Sequence, residues 1–176
     1  DNFGHMGRLP TNQPLLDHLA VRFVEEGWSM KKLIREIVLS RTYQLSTATG
    51  AQAKVDLENE LHWRQNRRRL QAESIRDAIL SVSGQLDKTM GGPTIKAGTS
   101  IEYGYKFDDT LRSLYAPVFR NTPLEILAVF DFADPNLVVG ERTTSSVPTQ
   151  ALFLMNNPFV RQQAVAAATR LLQEDL

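Results

Sequence analysis

At 176 residues, 42% hydrophobic and 23% charged, the chain has the composition of a soluble globular domain long enough to bury about two-thirds of its unfolded surface. Twenty Lys and Arg balance twenty Asp and Glu, so the formal net charge is zero and the broad positive field of a general nucleic-acid binder is missing. With no cysteine, disulfides, thiolate zinc, iron–sulfur ligation and a cysteine nucleophile are excluded, and no apolar run approaches the ~20 residues of a membrane span.

The chain opens on DNFGHMG, which reads as the middle of a longer protein, so residues 1–176 are expected to be a single domain cut from a larger one. Residues 1–11 read as a loop with Gly4, Gly7 and Pro10. Leu15, Leu16, Leu19, Ala20 and Phe23 then recur at helical spacing, with Pro14 tolerated in the first turn and Gly27 as the stop. Ser29 is a good N-cap for a second helix whose apolar face is Leu33, Ile34, Ile37 and Val38. Trp28 lies between these helices and Trp63 precedes a third, and both are expected to be largely buried. Residues 41–60 carry no periodicity and read as a loop.

The third helix follows three consecutive arginines, Arg67 to Arg69. Ala72, Ile75, Ala78, Ile79 and Val82 share its apolar side, and Gly84 ends it. Residues 87–110, with GGP at 91–93, read as a long irregular excursion. Ser113 to Phe119 has the content of one short strand, demoted to an edge by Pro117. Thr122-Pro123-Leu124-Glu125 spells a capping box and predicts a short helix through Phe130. Asp134-Pro135-Asn136 is a turn, residues 137–146 a loop, Pro148 opens a helix to about Met155, and Asn157-Pro158 caps a last one. Leu152, Phe153, Met155, Phe159 and Val160 are assigned to the core, and the small residues Ala164 and Ala166 to Ala168 allow another helix to approach the last one. The fold class is therefore mainly α: a compact helical domain of about five to six helices with long loops and at most a small β element.

Charge converges on the third helix. Arg69, Glu73 and Arg76 fall on one side with Asp77 beside Glu73, so Glu73 can bridge both arginines as a hub partly covered by the loop around Asp131 or Arg142. The acids Asp56, Glu58, Glu60, Glu73 and Asp77 flank the arginine run, and the simplest reading is an internal ion-pair network. RTTSSVPTQ, residues 142–150, leads into a helix N-terminus, where Ser145, Ser146, Thr149 and Gln150 are expected to cap the helix and bond to neighbouring loops. If a ligand site exists, it joins that helix start to Arg142 and Asp131. The candidate ligand or ion-pair cluster is thus Arg69, Glu73, Arg76, Asp77, Asp131, Arg142 and Gln150. No catalytic, cofactor or metal residue is assigned. His5, His18 and His62 have no ligand spacing, CxxCH is absent, and Glu73 and Asp77 project from the same helix surface, wrong for gripping a glycosidic bond between them.

The ordered strings DNFGHMGRLPT, FVEEGWSMKKLIREIVLSRTYQLS, WRQNRRRLQAESIRDAILSVSGQLD, GGP, RSLYAPVFRN, FDFADPN and RTTSSVPTQALFLMNNPFV span essentially the whole chain. Together they resemble the C-terminal domain of unknown function, number fifteen-fifty-three, of large planctomycete and verrucomicrobial proteins. Where that family often reads Pro-Thr-His near the first helix, this chain has Asn12, so no histidine role is carried over there. The resemblance implies an extracytoplasmic location, periplasmic or secreted, with another domain and often a cytochrome c or carbohydrate-binding module upstream. It implies no activity and no cofactor. The expected function is a non-catalytic helical docking module whose partner is the upstream domain of the same polypeptide, without nucleic acid or membrane insertion. The alternative is a ligand-binding or hydrolytic half-site for a small molecule or saccharide, completed by that upstream domain.

Overall fold

In the computed structural model the described residues are 4, 6–7, 9–95, 97–99, 105, 107–140 and 142–174. They are mainly α, with six α-helices and two short 3-10 turns. The chain divides into two compact units, one reaching Arg68 and one beginning at Arg69.

In the first unit, helix α1 spans Gln13–Glu25 and helix α2 Met30–Leu39. Helix α2 starts on the expected cap, Ser29, which accepts from the Lys32 N–H, and α1 starts on Asn12, which accepts from the Leu15 N–H. Helix α1 ends in a Schellman motif, with Gly27 N–H bonded to Val24 O and Trp28 N–H to Phe23 O. Gly27 and Trp28 both take positive φ, 72° and 61°. That turn leaves Trp28 68% exposed, its ring touching Phe23 edge-on at 5.3 Å, so the expectation of a buried Trp28 is corrected. Trp63 is half-buried and donates its indole N–H to Asp56 O at 2.8 Å. The loop to the arginine run holds a 3-10 turn at Ala51–Lys54 and is organised by the buried Asn59. At φ 59°, a conformation asparagine tolerates, Asn59 donates to Arg64 O and Asn66 Oδ1 and accepts from the Arg64 N–H.

In the second unit, helix α3 spans Ala72–Val82, α4 Glu125–Val129, α5 Pro148–Asn156 and α6 Pro158–Glu174. Ala72, Ile126, Leu127, Phe130 and Phe153 form the buried core, with Ile75, Ile79, Phe159 and Val160 packed against it. Phe130 and Phe153 meet edge-on at 5.8 Å. Helix α3 ends as α1 does: Gly84 N–H bonds Ser81 O and Gln85 N–H bonds Leu80 O. Its buried stripe is Ala72, Arg76 and Leu80, while Val82 is exposed, so the inward face is rotated from the expected one. Val160, Ala164 and Ala167 of α6 face Ala78, Ile79 and Val82 of α3 across a shallow apolar groove, the close approach their size allows. The Ser83 hydroxyl bonds Gln163 Oε1 at 2.6 Å beside it.

Four local expectations are corrected here. Ser113–Tyr115 is a 3-10 turn and not a strand, because its backbone groups are used locally and by α3: Ser113 N–H goes to Asp77, and Ser113 O accepts from Ala116 N–H. Helix α4 starts at Glu125 with Leu124 as N-cap and no side-chain cap, because Glu125 accepts from Asn157 Nδ2 instead of reaching back to Thr122. Helix α5 has Val147 as N-cap, again without a side-chain cap, because Ser145 and Gln150 are held by other partners. Helix α5 turns only Gln150 and Phe153 inward, so Leu152 and Met155 are exposed rather than core.

Candidate functional site

Helix α3 projects charge from successive turns, and each turn meets a different segment. In the first turn, Glu73 accepts two parallel bonds from Arg142, Nη1 to Oε2 at 2.8 Å and Nη2 to Oε1 at 2.9 Å. This bidentate fork is the strongest geometry available to such a pair. The guanidinium also lies 4.9 Å over the Phe132 ring. The Arg142 bonds hold the Glu73 carboxyl below the ordinary glutamate range, against the opposing effect of desolvation. Arg142 is raised in turn.

One turn on, Arg76 is buried, only 3% exposed. Its Nη1 donates to Leu111 O at 2.8 Å and Ser113 Oγ at 3.2 Å, its Nη2 donates to Asp109 O, and the group stacks 4.8 Å over Phe107. Burial lowers its pKa, opposed by Asp77 and Asp109. Asp77, 3.7 Å from Arg76, accepts from both the N–H and the hydroxyl of Ser113 at 2.8 and 2.6 Å. Arg76 and Asp77 thus fasten segment 109–113 onto α3.

The third group forms where α4 ends. Asp131 takes φ 59° and accepts from Ser145 N–H at 2.7 Å and Ser145 Oγ at 2.8 Å. Gln150 Nε2 donates to Val129 O at 3.1 Å and Ser145 Oγ at 3.2 Å, with Asp131 Oδ2 at 3.4 Å. Arg69 donates to Ser145 O. The Ser145 backbone N–H, then its hydroxyl, hold the Asp131 carboxyl below the ordinary aspartate range, with Gln150 and Arg69 adding to this against desolvation.

The seven residues picked out by sequence therefore separate into three groups: Glu73 with Arg142, Arg76 with Asp77, and Asp131 with Gln150 and Arg69. The first and third both grip residues 142–145 and clasp that strap to α3 and the end of α4. Glu73 does not bridge Arg69 and Arg76; each of those turns to backbone carbonyls. Arg67 and Arg68 lie ahead of the helix, whose N-cap is Gln71, and both are exposed. The Asp56 carboxylate accepts from the Glu60 and Leu61 N–H groups. Ser113 was not among the predicted residues. Its signal was a small polar residue opening an otherwise apolar run. His18 and His62 are exposed and His5 lies outside the described residues. Among the described residues no group of three His, Asp or Glu is placed to hold a metal ion, and no helix is long and apolar enough to cross a membrane.

Chemically, Glu73 and Asp131 are carboxylates held ionised by donors, suited to fixing a segment and unsuited to giving up a proton. A pH dependence follows. A carboxylate lowered by folding contributes stability that is fully present above its unfolded value and is lost as pH falls through the folded one. Thermal melts of the chain should therefore hold steady from pH 7 to 5 and fall below about pH 4. The fall should be shallower in Glu73→Gln; equal slopes in both proteins would show that the carboxylate does not hold the strap.

A family model described as PSD1, protein of unknown function (DUF1553), matches residues 1–175. Neither the curated proteins nor the solved structures give a match.

Proposed function

The chain belongs to this family of unknown function, and from that premise we propose that it is a non-catalytic helical docking module of an extracytoplasmic multidomain protein, seated against the preceding domain of the same polypeptide. The observation that carries the reading is that the charged cluster picked out by sequence is taken up internally. Glu73, Asp77 and Asp131 each accept from donors of the chain, and Arg69, Arg76 and Arg142 each donate to acceptors of it.

A second observation supplies the docking face. Helices α1 and α2 bury no residue, although each carries an apolar stripe at helical spacing. Leu16 is 50% and Ile34 53% exposed, and Val24, Trp28 and Leu39 are exposed with them. Charge around this hairpin is already balanced: Arg22 pairs with Glu25, Glu26 and Glu36, and Lys32 with Glu26. An apolar face with its charges neutralised locally suits a protein partner better than a charged one.

Hydrogen exchange tests this by comparing the chain alone with the full-length polypeptide. Amides of α1 and α2 should exchange at least about tenfold more slowly in the full-length protein, as expected of backbone buried beneath a partner. Equal protection of both helices in the two samples would contradict docking through this face.

A further inference from the structure

Beside Arg76, the second unit carries a half-open cleft of about 500 Å³, within the size range of small-molecule sites. One wall is apolar and aromatic, from Leu124, Ile126, Phe153 and Phe159, with Phe107 on the side where Arg76 stacks, and amides such as Gln162 and Gln163 line the rest. Among the described residues that line it, the carboxylates Asp109 and Glu125 stand against the guanidinium of Arg76. The positive charge of Arg76 is offset by the Asp77 carboxylate 3.7 Å away, and its Nη donors already serve Leu111 O, Asp109 O and Ser113 Oγ.

The carboxylates are held in place. Asp109 Oδ1 accepts from the Leu111 N–H at 2.8 Å, and Glu125 Oε2 from Asn157 Nδ2 at 3.0 Å. A carboxylate has room for about four acceptor contacts, so each anchored group can still receive a further donor. An apolar wall with fixed carboxylates selects an apolar body that ends in a positive, donor-rich head.

We propose that this cleft binds an organic cation, an ammonium or guanidinium on an apolar or aromatic stem. The stem lies against Phe153 and Phe159, and the head meets Asp109 and Glu125. Such a group can arrive as a free amine or as the Lys or Arg side chain of a docking segment. The site goes beyond the docking reading and does not depend on it.

The test is a titration of the full 176-residue chain, followed by amide chemical shifts, with three probes of one shape. These are 2-phenylethylammonium, 2-phenylethanol and 3-phenylpropionate. The ammonium should bind at least about fivefold tighter than the alcohol, the scale of a rim charge contact, and the carboxylate most weakly. The shifts should centre on residues 107–110, 124–126 and 157–159. Glu125→Gln with Asp109→Asn keeps both anchoring acceptors, so it should lose the preference for ammonium while its retained alcohol binding shows that the cleft is intact. A capped Phe-Lys dipeptide binding tighter than the free amine identifies a docking side chain as the source; weaker binding identifies a free amine. The proposal is overturned if alcohol or carboxylate binds as well as ammonium, if shifts scatter or fail to saturate, or if the double variant keeps the preference.

Discussion

Arg76→Ala is expected to destabilise the chain by about 3–5 kcal/mol, the range for breaking a buried charge interaction by removing one partner. The substitution leaves Leu111 O and Asp109 O without their donor and Asp77 without its buried counter-charge. It also uncovers the Phe107 face on which the guanidinium lies. Segment 109–113 is then tied to α3 only through Asp77 and Ser113. Arg76→Lys should recover little, because one ammonium cannot fork to two carbonyls and stack on a ring at once. Urea denaturation at pH 7 reads this as a lower midpoint at unchanged slope. A loss under about 1 kcal/mol would show that the 109–113 segment holds itself.

The position of Arg76 explains where sequence reading succeeds and where it stops. Helix boundaries were legible because they are written in short-range chemistry. Asn12 and Ser29 cap the first two helices, and Gly27 and Gly84 close Schellman motifs where expected. Side-chain fate was less legible, because it depends on what arrives from far along the chain. Periodicity put Arg76 on a polar face with Arg69 and Glu73. Carbonyls 33 and 35 residues away instead draw it into the buried stripe between Ala72 and Leu80. Glu73 has helical neighbours at the right spacing but takes Arg142, 69 residues on, because a planar fork outcompetes an adjacent pair on an exposed helix.

The same reasoning accounts for the helix caps that were misread. The capping signals near Thr122 and Ser145 are present, but Asn157 claims Glu125 and Asp131 claims Ser145. A local motif fails when a long-range partner offers a better bond. Trp28 fails differently: its apolar surface argued for burial, but the positive-φ turn holds the ring at the edge of the hairpin. Such an aromatic residue on an uncovered face is what a docking surface needs.

The claim that the charged cluster is a clasp and not a reaction centre is tested most directly by a double-mutant cycle on Glu73 and Arg142. Glu73→Gln keeps the shape and removes the charge, so the half-buried fork with Arg142 is lost while packing stays. Each of Glu73→Gln and Arg142→Gln should lower stability by about 1–2 kcal/mol, between the values for exposed and buried pairs. The double variant should be hardly worse than either single, which gives a coupling of similar size. If Glu73→Gln melts at an unchanged or higher temperature and the coupling is near zero, the carboxylate is held at a cost to stability, as at a functional site, and the clasp account is wrong.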